Sequence, residues 1–93
     1  MPNKPVVILC DFDCFAVLTP KILHDIIVPL VEFLFAGDAK MEYIHNTHFV
    51  LIVFKDEETF MFYTLKHTDI SKFVRGQIEE KVCLIQNGSK NAV

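Results

Sequence analysis

Apolar positions recur along this chain in several rhythms, and each rhythm predicts an element. Val6 to Cys10 is a short β-branched run behind Pro5 and reads as a strand. Asp11 to Leu18 interrupts it with acids, aromatics and a cysteine, and carries the chain toward a helix. Thr19-Pro20 opens that helix: threonine offers an N-cap oxygen, and proline suits the first helical position, where its missing N–H is no loss. From Lys21 to Phe35 the apolar residues Ile22, Leu23, Ile26, Ile27, Leu30, Val31, Phe33 and Leu34 cover far more than one stripe. Pro29 lies inside this run, removes a backbone hydrogen bond and predicts a kink or a split. Gly37-Asp38 marks the stop.

Ala39 to His45 then alternates Lys40 and Glu42 against Met41 and Tyr43, as a half-buried strand does. Asn46-Thr47 turns the chain into Phe49–Phe54, a continuous apolar run expected at the centre of a sheet. Asp56 caps a second helix, with Glu57 and Glu58 in its first turn where the helix dipole favours them. That helix is expected to reach about His67, and 68–77 is read as a connection. Val82 to Gln86 is read as the last strand. The predicted order is β-α-β-β-α-β over residues 1–87, one domain with a polar tail at 88–93. Its natural closure is an α+β, ferredoxin-like fold: a four-stranded antiparallel sheet with both helices on one face.

Ninety-three residues with 52% apolar side chains, nine of them Phe, are more than a small domain can easily hide. Some of that surface is expected to cover a partner, most simply a second copy. A formal charge of −3 leaves no broad basic field to attract nucleic acid. No apolar run approaches the roughly 18 residues of a membrane span. Three cysteines, an odd count, and the absence of a signal-peptide pattern point to a reduced, cytoplasmic chain with free thiols. No cofactor is expected.

The βαββαβ order resembles the RNA-recognition-motif (RRM) fold, which implies a strand order of 4-1-3-2. The two RNA-reading motifs of that family then fall on Val7–Phe12 and Thr47–Phe54. At the positions where RRMs carry stacking aromatics, this chain has Ile8, Phe49 and Leu51. Thr47 and His48 replace the basic residue and glycine that open the second motif. A narrower resemblance covers nearly the whole chain and is to the N-terminal RRM-like domain of BRAP/IMP-type ubiquitin ligases. It rests on Thr19-Pro20, Ile27-Val28-Pro29-Leu30, Val50–Phe54, Phe62-Tyr63 and Ile78–Cys83. It implies a cytoplasmic setting in a larger assembly, a ubiquitin ligase or an RNA-processing scaffold. The ligase's own zinc-binding modules have no counterpart in these residues.

The candidate surfaces follow from these elements. The sheet face away from the helices is expected to carry Val6, Ile8 and Cys10 beside Phe49, Leu51 and Val53, a patch of a few hundred Å². The first helix offers Ile26, Leu30 and Phe33 as a second apolar surface, since a helix apolar all round is buried on both sides. These residues read the chain as a non-catalytic protein–protein module, either a homodimer or a pair with another RRM-like domain. The alternative is an RNA-binding RRM using Phe49 with the basic residues Lys72, Arg75 and Lys81. A third reading, a metal-dependent phosphoryl-transfer remnant, would place Mg²⁺ on Asp11 and Asp13. It lacks a further acid near the start of the third strand, where Thr47 and His48 stand. Cys10, Cys14, His45 and His48 have the wrong spacing for a zinc knuckle.

Overall fold

The computed structural model describes residues 4–91, and the side chains of 4–83. Its elements are β1 (Val6–Asp11), a single 3₁₀ turn (Asp13–Phe15), α1 (Pro20–Leu34), β2 (Ala39–Tyr43), β3 (Phe49–Phe54), α2 (Glu57–His67) and α3 (Ile70–Asn91). The fold is thus α+β, and the described residues form a three-stranded antiparallel sheet in the order β1-β3-β2 and three helices.

Local chemistry sets most of the boundaries. Thr19 Oγ1 accepts the Ile22 N–H at 3.3 Å, with Pro20 beginning α1 as expected. Gly37 ends the following turn in the left-handed region, at φ 82°. Asp56 caps α2 by accepting the Thr59 N–H at 2.7 Å. That bond to the ionised carboxylate holds the Asp56 carboxyl below its usual range. Pro29 does not divide α1, which is continuous from Pro20 to Leu34. It sits on the exposed side of the helix, where water can serve the carbonyl that its missing N–H leaves free.

The core lies between one sheet face and the helices. Cys10, Val50, Ile52 and Phe54 project into it from the strands, and Leu23, Ile27, Leu30 and Val31 from α1. α3 adds Ile70, Val74 and Ile78, each four residues from the last, so one narrow stripe docks the helix.

α3 is the main departure from the sequence reading. The expected connection at 68–77, the strand at Val82–Gln86 and the start of the tail at 88–91 are replaced by one helix through Asn91. The Ile70/Val74/Ile78/Val82 spacing has a helical period, and Glu79-Glu80-Lys81 are good helix formers. Asp69 Oδ1 accepts the Lys72 N–H at 3.1 Å and starts the first turn. No fourth strand pairs with the sheet among the described residues, so a four-stranded ferredoxin-like closure is not formed. The order β1-β3-β2 is what 4-1-3-2 leaves when its fourth strand is missing. It leaves β1 at an edge.

Candidate protein-interaction surface

Strand parity decides which side chains reach the uncovered face of the sheet. In β3 the even-numbered residues are buried, so Phe49, Leu51 and Val53 face away from the helices, as expected from the sequence. The β1–β3 register pairs Val7 with Val53, Leu9 with Leu51 and Asp11 with Phe49. Directly paired residues share a face. The β1 contribution to the open face is therefore Val7, Leu9 and Asp11. Val6, Ile8 and Cys10, expected there, project to the helix side, with Cys10 fully buried and Val6 and Ile8 packed against the core. Burial pushes the Cys10 thiol up from its ordinary value, which leaves it protonated and unreactive.

The open face is consequently an apolar strip with a charged rim. Val7 and Leu9 are 53% and 60% exposed, unusual for large apolar side chains in a strand. Phe49, Leu51 and Val53 are half-buried beside them. Lys40 and Glu42 of β2, paired with Val53 and Leu51, edge the strip on one flank, and Asp11 stands at its end.

The other sequence-derived candidates are dispersed. Leu30 is a core residue and Ile26 is half-buried, whereas Phe33 is 82% exposed, so the three do not form one outward patch on α1. Lys72, Arg75 and Lys81 lie on α3, in the helical layer, away from the face that carries Phe49. Phe49 instead pairs with Asp11, a carboxylate that repels phosphate. A further exposed apolar row, Met61, Phe62 and Leu65, lies on α2, whose sequence is apolar on more than one face; the last of the three is 84% exposed. They have i, i+1, i+4 spacing on a helix that buries Tyr63 alone.

The Asp11–Phe15 segment is explained by packing. Phe12 and Phe15 plug the core, and the acids Asp11 and Asp13 on either side of Phe12 face water. Asp11 Oδ1 accepts the Asp13 N–H at 3.0 Å, which fixes the turn. Asp13 lies 3.7 Å from His48 Nδ1, and His48 Nε2 donates to the Leu18 carbonyl at 2.7 Å. Among the described residues no three His, Cys, Asp or Glu side chains converge on a metal position, and no helix is long and apolar enough to cross a membrane.

His24 is the one buried polar side chain in the described core, stacked on Tyr43 with ring centroids 4.3 Å apart. Its Nε2 has no hydrogen-bond partner among the described residues. Burial, and then the nearby His48, lower its pKa below the ordinary 6.5, while Asp25 and a backbone contact to Thr47 act weakly the other way. The unfolded chain thus takes up a proton at His24 at a pH where the folded chain does not, and stability falls as pH drops through and below about 6.5. His67, also lowered by burial, adds to the same trend. In His24→Phe, which keeps the ring stack, the melting temperature is expected to fall less between pH 7 and 5 than in wild type. An unchanged slope would remove His24 as a source of acid sensitivity.

No known family model matches this chain, and no curated protein or solved structure does so either.

Proposed function

We propose that this chain is a non-catalytic protein-association module of RRM-like descent. It acts as a scaffold by joining a second copy of itself through the β1 side of the sheet. The observation that carries this reading is the uncovered apolar strip centred on Leu9 and Leu51, with Val7 and Leu9 more than half exposed on an edge strand. Burial of such a strip contributes about 25 cal/mol per Å² before the costs of association. The βαββ run from Val6 to Phe54, with β3 central, is the part of the fold on which RRM-like descent rests. The sheet face is the surface that such a descent assigns to binding. Here its one exposed-face aromatic, Phe49, lies among aliphatic side chains and a carboxylate, which suits a protein better than a base.

Light scattering over a concentration series tests the reading. Wild type is expected to rise from 10.7 kDa toward twice that mass. Leu9→Glu is expected to stay at the monomer mass, since it sets a charge in the middle of the strip. Leu65→Glu, on the helical side, is expected to associate like wild type. A wild type that remains monomeric at every concentration overturns the proposal.

A further inference from the structure

The backbone of β1 specifies how two copies would meet. Phe12 N–H donates to the His48 carbonyl at 3.1 Å, which continues the β1–β3 register by one closely bonded pair. Antiparallel ladders alternate bonded and non-bonded pairs, so the even-numbered residues Val6, Ile8 and Cys10 direct their backbone groups to β3. Ile44 N–H donates to Phe49 on the other side of β3, and the same parity follows from that bond. Val7, Leu9 and Asp11 therefore turn their N–H and C=O groups outward. Among the described residues none of these outward groups has a backbone partner.

The middle of this edge lacks the devices that normally protect one, which stand only at its two ends as Pro5 and Asp11. Val7, Ile8 and Leu9 carry no charge, bulge or proline, whereas the opposite edge, β2, carries Lys40 and Glu42. Beneath β1 on the helix side, an open groove of about 450 Å³ is lined by Ile8, Phe60, Ile70 and Ser71, among others. An added strand would be placed to drop alternate side chains into it.

We infer that the occupant is β1 of a second copy, paired antiparallel about a two-fold axis at Ile8, so that two three-stranded sheets become one of six. The inference rests on the reading of the chain as a self-associating module. Facing residues must share a sheet face, so only registers that pair odd with odd positions are allowed. Centring on Ile8 pairs Val7 with the partner's Leu9 on the open face, and both residues have outward backbone groups. The same register seats the partner's Val6 and Ile8 toward the groove. Asp11 then falls opposite the partner's Pro5, where proline has no N–H to give, so the closely bonded pairs of the new ladder are Val7 with Leu9 and its symmetry mate, and the ladder ends at Pro5. The strand's charges are complementary only in this antiparallel sense: exposed Lys4 at one end reaches the partner's Asp11 and Asp13 at the other. Centring on Leu9 instead would set Asp11 against Val7.

Three variants and one control separate the outcomes. In a chain with Cys14 and Cys83 replaced by Ser, Ile8→Cys is expected to form a disulfide-linked dimer on mild oxidation. Non-bonded antiparallel pairs stand about 4.5 Å apart at Cα, within disulfide reach. Val7→Cys in the same background is expected not to cross-link, as the two copies of residue 7 are offset along the strands. Leu9→Pro removes an outward N–H that β3 does not use, and is expected to be a folded monomer by circular dichroism and light scattering. A dimer that survives Leu9→Pro, gives no Ile8→Cys cross-link and is lost in Leu51→Glu means that two sheets stack face to face. The edge pairing is then overturned while the association module stands. A wild-type monomer overturns both. If Leu9→Pro unfolds, the Ile8→Cys and Val7→Cys pair still decides the register.

Discussion

Phe35→Ala is expected to lower the free energy of unfolding by about 3–5 kcal/mol, the range for truncating a fully buried aromatic. Phe35 is completely buried just beyond the end of α1. Its ring meets Phe54 of β3 at 5.1 Å, Tyr63 of α2 at 4.9 Å and Phe73 of α3 at 6.4 Å, all edge-to-face. One side chain thus joins the end of α1 to the sheet and to both later helices. Edge-to-face pairs add roughly 0.5–1.5 kcal/mol each beyond the area they bury. The Phe35 carbonyl accepts the Tyr63 hydroxyl at 3.2 Å, and alanine retains that acceptor, so the loss reports the ring. Against a total stability of about 5–15 kcal/mol for a small domain, this is a large fraction. Urea denaturation followed by circular dichroism measures it. Phe33→Ala is the control: two residues away and 82% exposed, it is expected to change stability by at most about 0.5 kcal/mol. Equal losses at the two positions would mean that the aromatic cluster does not organise the helical layer.

The first two-thirds of the fold is legible in the sequence because its signals are local. Thr19-Pro20, Gly37 and Asp56 fix helix ends through bonds within a few residues, and Lys40/Glu42 alternation marks β2. The open side of β3 is legible as well, since Phe49, Leu51 and Val53 share a parity and lie where expected. The open side of β1 is harder, because Val6–Cys10 is apolar at every position and has no alternation to read. Asp11 was the available cue: a charged strand end belongs on the wet face, and Leu9 and Val7 follow it by parity. In α1 the apolar excess signals surplus surface, but period alone does not separate buried Leu30 from exposed Phe33, three residues on. Packing against β2 and α3 settles that choice, and neither contact is encoded locally.

The last third turns on a competition between a β-branched segment and a helical period, and Glu79→Pro tests which of them governs. Val82, Cys83, Leu84 and Ile85 favour a strand taken alone. A lone strand there would have to reach the outer edge of β1, whereas a helix from Ile70 buries Ile70, Val74 and Ile78 in one stripe without crossing the sheet. Glu79 is exposed in the middle of this helix, so its side chain contributes little. Proline at this position removes the N–H bond to the Arg75 carbonyl and sets its ring against that carbonyl, at a cost of about 3 kcal/mol or more. Because Ile78 is fully buried beside it, the break also loosens the docking of α3 on the core. The variant is expected to lose helical circular dichroism and at least about 3 kcal/mol of stability, whereas Glu79→Ala is expected to be neutral or slightly stabilising. A proline tolerated at 79 would instead fit a connection leading into a fourth strand. That strand would occupy the β1 edge itself, so the same result would close the edge to a second copy.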